Sequence, residues 1–455
     1  MANSYLNKTF SGAPTNAKKG TVSMWLKLSQ NDSSSNNYYR LFVTGADGSN
    51  RTDLNIVMPD ADVDRNDAAG RLLFSHLVGG SNYTWRTNKQ LRDMSAFYHL
   101  VVAYDTTQAS ASDRVKIYIN GTQETSLSAS ATIPQDTDLF FGNNSSAHHI
   151  GNSPHYSPRF FQGYMSHFAY VDGTALAPTT FGETDSTSGI WKFKSPTGVT
   201  WGNNGVHLKF ENSGNMGLDS SGNTHNFTVN GNLKQAIDTP SNVYTTMNPL
   251  ALQGASSIAL TNGNLTSTNS SSAHRSMFST FAVSKGKWYF ETKIGEVGGA
   301  YPTIGIYNSN EHVPAADYFT VNANGYGYNS NGSIYHNNSA AVSGQPTWTT
   351  GDIIGVALDV DNDKVYFSKN GSYINSGNPA GGSNGQSITA DSTWYFAAHS
   401  KDSGTDPVQH YNFGDGFFGT TAIASAGSNG NGSLFEYDVP SGFYALNTKN
   451  LNTYG

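Results

Sequence analysis

Three sets of side chains have the types and spacing for chemistry. The first is carboxylates. Retaining cleavage of a glycosidic bond needs two carboxyl groups about 5–5.5 Å apart, which a strand supplies when acids alternate along it. The chain has only seven Glu, and the Glu-x-Asp at Glu183-Thr-Asp185 has Ser188 where a third acid would stand. The surrounding stretch is turn-rich, so a solvated pair is expected there and no catalytic residue is assigned. The second set is Asp60-Ala-Asp-Val-Asp-Arg-Asn-Asp67. Asp60, Asp62, Asp64 and Asp67 could cage Ca²⁺ with oxygen ligands, the one cofactor the sequence suggests. The EF-hand pattern fails, because Arg65 stands where Gly is needed and Arg71 where a bidentate Glu is needed. The third set is His148, His149 and His155, three imidazoles of the kind that bind Zn²⁺, set against an ordinary exposed loop as the plainer reading.

Nucleophilic and phosphate chemistry find no support. No Gly-x-Ser-x-Gly follows a buried strand, and no His-Glu-x-x-His or Walker A sequence occurs. Binding is the remaining use. Ser81-Asn-Tyr-Thr-Trp-Arg86, Tyr326-Gly-Tyr-Asn-Ser-Asn331 and Ile334-Tyr-His-Asn-Asn338 read as loops rich in Tyr, Asn, Ser and Gly. Such a mixture gives rigid aromatic contacts and adaptable hydrogen bonds. The candidate ligand contacts are Tyr83, Trp85, Arg86, Tyr326, Tyr328, Tyr335 and His336, whose aromatic faces and amide neighbours suit sugar rings. The other reading is that these are plain sandwich loops or contacts between subunits.

The elements that carry these residues are strands. Gly20-Thr-Val-Ser-Met-Trp-Leu-Lys-Leu-Ser29 puts Val22, Met24, Leu26 and Leu28 on one face, and Trp25 on the other points to a cover there too. Ala96–Asp105, Arg114–Gln123 and Phe161–Asp172 are further strands, and Asn120-Gly121 demands a type I′ hairpin turn. Gly286–Ile294, Thr303–Ile306, Gly351–Asp359 and Val365–Gly371 alternate in the same way farther along. No apolar periodicity at helical spacing lasts three turns. Among 455 residues only 13% are charged, but 25 Tyr, 24 Phe and 7 Trp supply core material. Each aromatic buries roughly 150–250 Å², so the chain reads as all-β and not as disordered.

Net charge is −7 with no basic stripe, which excludes nucleic acid as the expected partner. Cys is absent, which excludes a disulfide-stapled scaffold and fits folding in a reducing cytosol. The sequence shows no signal peptide and no apolar run near the ~20 residues of a membrane helix, so membrane insertion is not expected.

On these strands and turns, residues 1–180 resemble the LamG-like, concanavalin A-type jelly roll. Residues 249–420 resemble the SPRY domain, a bent β-sandwich that binds partners through its loops and has no chemistry of its own. Residues 181–248 read as a β-rich connecting section, and 421–455 as a tail that packs on the sandwich or on a partner. The fold expected is two jelly-roll or β-sandwich domains joined by that section. The pairing, together with the closing Phe435–Asn447 phrase, resembles structural proteins of marine bacteriophages. That resemblance implies a virion protein made in the host cytoplasm, a non-enzymatic tail or head fibre or capsid decoration. Its implied partners are other virion proteins and host-surface glycans. It also implies a homo-oligomer, a trimer first. A polysaccharide depolymerase and a purely architectural capsid-stabilising protein are the other readings.

Overall fold

The computed structural model describes residues 4–29, 38–58, 70–129, 131–155, 160–252, 257–298, 301–308, 317–401 and 403–455. The fold is all-β, and α1 (Thr448–Tyr454) is the α-helix among the described residues. None of these residues forms a helix long and apolar enough to cross a membrane. Two compact units divide the chain, residues 1–235 and 236–455.

The first unit stacks two sheets. One has eight strands in the order β10 (Leu127–Ala129), β6 (Ser81–Gln90), β5 (Arg71–Val78), β4 (Asn50–Val57), β3 (Tyr38–Asp47), β11 (His148–Ile150), β1 (Tyr5–Lys8) and β16 (Thr228–Asn230). The other has six, β15 (Val206–Leu208), β12 (Gly163–Asp172), β2 (Lys19–Leu28), β7 (Tyr98–Asp105), β8 (Val115–Ile119) and β9 (Thr122–Gln123). Period-two alternation sends Val22, Met24, Leu26 and Leu28 inward against Phe42, Leu54 and Phe74 of the facing sheet. The predicted hairpin turn forms, with Asn120 at φ 49° and Gly121 at φ 78°. A Cβ on Gly121 would lie 2.5 Å from the Trp191 ring, so only Gly fits under that indole.

The opposite face of the six-stranded sheet is also buried. A hairpin of β13 (Gly182–Thr184) and β14 (Trp191–Phe193) lies over it. Beneath sit Trp25, His99 and His167, with the Phe193 ring stacked 3.7 Å from His167. Val101, Ala169, Val171 and Phe181 form a small apolar cluster alongside. Residues 181–235 thus finish the first sandwich: they supply its cover and two of its strands, β15 and β16. The Asp172 carboxylate ties this return together, accepting the amides of Thr15 (2.7 Å) and Asn204 (3.0 Å).

The second unit is another sandwich. Its first sheet runs β17 (Ile258–Thr261), β18 (Thr266–Asn269), β30 (Val408–Asn412), β20 (Lys287–Glu296), β25 (Ile353–Asp359), β26 (Lys364–Lys369) and β27 (Ser372–Tyr373). Two short strands, β28 (Gln386–Ser387) on β26 and β33 (Tyr444–Ala445) on β20, complete it. Its second sheet runs β19 (Arg275–Val283), β29 (Trp394–Ser400), β21 (Thr303–Asn308), β22 (Gly325–Asn329), β23 (Ser333–His336) and β24 (Ser339–Val342). A small pair, β31 (Phe417–Phe418) and β32 (Thr421–Ala422), stands apart. Phe290 meets Phe396 across the core at 4.3 Å.

Here too the outer face of a sheet is covered. Phe435, Val439 and Phe443 from the tail cluster with Tyr244 over Tyr289, Ala357 and Tyr366. Gly355 makes room for this layer. A Cβ there would meet the Ser368 Oγ at 2.4 Å and the Tyr289 hydroxyl at 2.8 Å.

Burial has a pH consequence that is unequal between the units. It pushes His99 and His148 down to about 3, and His76, His149, His167 and His207 down to about 4, all in the first unit. Among the described residues of the second unit only His399 is moved as far, to about 3. A histidine depressed on folding contributes stability that is whole above its unfolded value of 6.5 and is lost as pH falls through the folded value. The first unit should therefore unfold before the second as pH drops from 6.5 to about 4. Hydrogen exchange followed by peptide across that range checks this; loss of protection in the second unit first would contradict it.

Candidate binding surfaces

The aromatic segments read as loops are largely strands. Ser81 opens β6, and alternation turns Tyr83 and Trp85 toward the core, where Trp85 packs 5.9 Å from Phe74 and Tyr83 stacks on His76 at 6.2 Å. Arg86 faces the other way and its Nε donates to the Ser128 hydroxyl at 3.5 Å. Tyr326 and Tyr328 lie on β22 and are buried, and Tyr335 and His336 lie half-buried on β23. Tyr326 stacks on His336 at 4.0 Å, and the Tyr328 hydroxyl donates to the Pro346 carbonyl. The loop reading is corrected by the glycines. Gly327 sits inside a strand because a Cβ would meet Thr303 Cγ2 at 2.4 Å and the Phe319 ring at 2.9 Å. Close packing, and not a turn, requires it.

The three imidazoles do not converge, and no three metal-ligating side chains gather among the described residues. His148 and His149 are successive on β11 and face opposite sides. His148 accepts the Gly142 amide at 2.8 Å, whereas His149 stacks on Tyr5 at 5.5 Å. Asp60, Asp62, Asp64 and Asp67 lie outside the described residues. Glu183 and Asp185 sit at the exposed hairpin cover, both paired with Lys192, at 3.6 and 3.0 Å.

One pair has the distance of a nucleophile and its base: Ser23 Oγ lies 2.9 Å from His99 Nε2. Its proton is in the wrong place. The Trp191 indole can only donate, and it donates to His99 Nδ1 at 3.0 Å, so the ring carries its hydrogen on Nε2. His99 therefore donates to Ser23 and cannot take its proton. Both residues are buried, with Trp25 stacked 4.6 Å above the imidazole.

Glu291 is a carboxyl raised by burial. Burial pushes it up to about 7, against the amides of Tyr437 and Glu436, which donate at 2.9 and 2.8 Å, and the Tyr289 hydroxyl at 3.1 Å. It is fully buried and clamps the tail onto the sheet.

A concave site does occur at one end of the second unit. A pocket of about 470 Å³ is lined by the β26–β27 turn, Ile374 to Ser376, Gln345 and Pro346. The depression is shallow and open to solvent, so a ligand seated there would be only partly covered. Its polar walls are already bonded to one another. Lys369 pairs with Asp352 at 3.1 Å and donates to the Thr347 carbonyl at 2.8 Å. Asn370 donates to Asp352 at 2.8 Å and accepts the Ile353 amide at 2.8 Å. Gln345 accepts the Asn375 amide at 2.7 Å. The result is a fixed surface with its one cation neutralised. Elsewhere in the second unit, Tyr301 precedes Pro302, whose carbonyl accepts the Ser330 amide at 3.1 Å. The Tyr301 side chain is 63% exposed and its φ of 38° is strained for an aromatic residue. Outliers of this kind gather at ligand sites. Val365–Gly371 alternates as a strand in the sequence, whereas the Ser372–Ser376 return carries no such signal, because its composition matches that of the other loops.

Comparison with known proteins agrees with this architecture. Residues 3–180 match the model of the concanavalin A-like lectin/glucanases superfamily, and residues 287–377 match that of the SPRY domain. The chain thus carries a LamG-like domain and a SPRY domain, types that typically serve as binding or interaction modules. Similar solved structures include the SPRY domain of human HERC1, at 18% identity over 36% of this chain and 96% of that one, with a TM-score of 0.29. Another human SPRY domain is 16% identical over 34% of this chain and 94% of that one, with a TM-score of 0.26. No curated protein matches the chain.

The Glu291 clamp gives a signed expectation. A carboxyl raised on folding from 4.5 to about 7 contributes stability that is whole below 4.5 and lost as pH rises through 7. Protease cleavage of the tail between Thr421 and Asn431 should therefore be faster above pH 7 than below it. Glu291→Gln should remove that dependence while weakening the clamp overall. A cleavage rate that rises with pH equally in both proteins would refute this role for Glu291.

Proposed function

We propose that the protein is a non-enzymatic recognition component of a virion surface, which grips an uncharged ligand at the pocket end of its second unit. The observation that carries the binding reading is the pocket itself: concave, with amides and charges already spent on each other. Such a wall loses little side-chain freedom on binding and offers no unpaired charge. Pro346, Ile374 and Tyr373 supply apolar contact, so a neutral glycan of a host envelope fits better than an acidic one.

Support for the virion setting is in the sequence: the LamG-like and SPRY pairing, the missing cysteines, and a closing phrase like that of phage structural proteins. Other virion proteins would be its immediate neighbours, and copies would act together as a homo-oligomer. Weak contacts per copy would then add up through high effective concentration. The non-enzymatic reading draws on the buried acids. Asp53, Asp172, Asp219, Glu291 and Asp359 each engage backbone amides or side-chain cations and amides. Those bonds leave them holding the chain in place.

The test is binding of the multimerised protein to neutral envelope oligosaccharides, with product sizing. Ser372→Arg, an exposed change at the pocket wall, should weaken binding at least about tenfold, equivalent to about 1.4 kcal/mol. Glycan chains should keep their length. Shortened chains would favour the depolymerase reading, and binding untouched by Ser372→Arg would remove the pocket from it.

A further inference from the structure

The chain has no Cys and so no means of forming a sulfur bridge. Tyrosine is another side chain that couples to its own kind on one-electron oxidation, and the chain has 25. Coupling needs two rings face to face. Among the described residues one pair of tyrosines meets that demand: Tyr444 and Tyr454, with ring centroids 3.7 Å apart and planes 4° from parallel. Aromatic pairs prefer an offset or edge-on arrangement, because full overlap sets like partial charges against each other. The backbone on either side imposes this overlap. Tyr444 lies on β33, in register with Trp288 of β20. Tyr454 ends α1, whose cap Asn447 accepts the Asn450 amide at 2.8 Å and whose Leu451 packs against the core. Leu451 and Tyr454 are three residues apart and share a helix face. At the start of α1, Thr448 and Val243 exchange two bonds of 2.9 Å.

The two hydroxyls lie on the same side of the stack. Burial first, and then the bond from Tyr454, hold the Tyr444 phenol above its ordinary value. The carbons ortho to each hydroxyl therefore face one another. Solvent reaches the pair, since Tyr454 is 40% exposed and Tyr444 half-buried. Tyr104 and Tyr170 give the contrast. Their hydroxyls bond at 3.2 Å, but both side chains are fully buried and out of reach of an oxidant.

We infer that Tyr444 and Tyr454 are an oxidative cross-linking site, where a one-electron oxidant formed from hydrogen peroxide joins them as dityrosine. Each phenol gives one electron and its proton to the oxidant, leaving two phenoxyl radicals. Their unpaired electrons pair as a carbon–carbon bond between ortho positions. The hydrogen on each joined carbon then moves to oxygen and restores the phenols. The two electrons and two protons released reduce one molecule of hydrogen peroxide to two of water. Holding the reacting carbons in contact beforehand favours this bond over chance coupling between chains by several orders of magnitude. The product fastens α1 to β33 by a link that thiols do not reverse. It does not rest on the pocket or on any glycan.

Brief treatment of the full chain, at high dilution, with a haem peroxidase and hydrogen peroxide tests it, beside Tyr444→Phe and Tyr454→Phe. Lys449 stands between the two tyrosines, so trypsin parts them unless they are joined. The parent chain should lose the mass of two hydrogens and stay monomeric on a denaturing gel. It should yield one tryptic species that contains both Tyr444 and Tyr454. Its dityrosine fluorescence should grow at a rate per chain that does not change with further dilution. Either Phe variant should lose the joined species and most of the early fluorescence, and urea applied before the oxidant should abolish the preference in the parent. Early coupling at other tyrosines would overturn the inference. So would cross-linked oligomers that form ahead of the intrachain bond, or fluorescence that both variants retain.

Discussion

A β-sheet has two faces, and a sandwich of two sheets buries only one face of each. The outer faces are a problem wherever they carry large or apolar groups. In this chain both units meet that problem with segments that lie outside the two main sheets. The β13–β14 hairpin closes over Trp25 and His99, and the segment around Phe435 closes over Tyr289 and Tyr366. Each cover buries polar atoms with it, and those atoms must find partners or cost stability. His99 finds Ser23 and Trp191; Glu291 finds two backbone amides. The polar groups that look most chemical are the fasteners of these covers.

That constraint shapes what the molecule can do. Imidazoles and carboxyls that would suit catalysis are spent inside layers, where their proton positions are fixed by neighbours. Ser, Thr, Asn and Gly, with scattered charges such as Asp93, Asp136 and Glu211, face solvent. Such surfaces recognise shape and hydroxyl or amide groups.

Much of the fold was legible because alternation is a direct record of burial. Val22 to Leu28 and Trp288 to Ile294 announce their strands, and Trp25 announces its cover, since an indole on the solvent side of a strand needs something above it. The aromatic clusters were misread for one reason. Asn and Gly usually punctuate turns, so Tyr326-Gly-Tyr-Asn looked like a loop, whereas Gly327 is there to let Phe319 approach. His148 and His149 looked like partners, yet adjacency on a strand is what separates them. The pocket was invisible because its walls are drawn from Gln345, Asn370 and Asn375. Amides like these occur throughout the chain and become distinctive only when bonded in one place.

The eight-stranded sheet of the first unit has a temporal side. Its β1, at Tyr5–Lys8, is flanked by β11 and by β16, at Thr228–Asn230. As the chain is made, β1 must wait for more than two hundred further residues before its outer neighbour exists. Contacts so distant along the chain slow folding, because the loop must close before any contact rewards it. During translation that strand is an open template. A cell making this protein in quantity would need either slow, dilute synthesis or a chaperone that holds the first segment until residue 230 arrives.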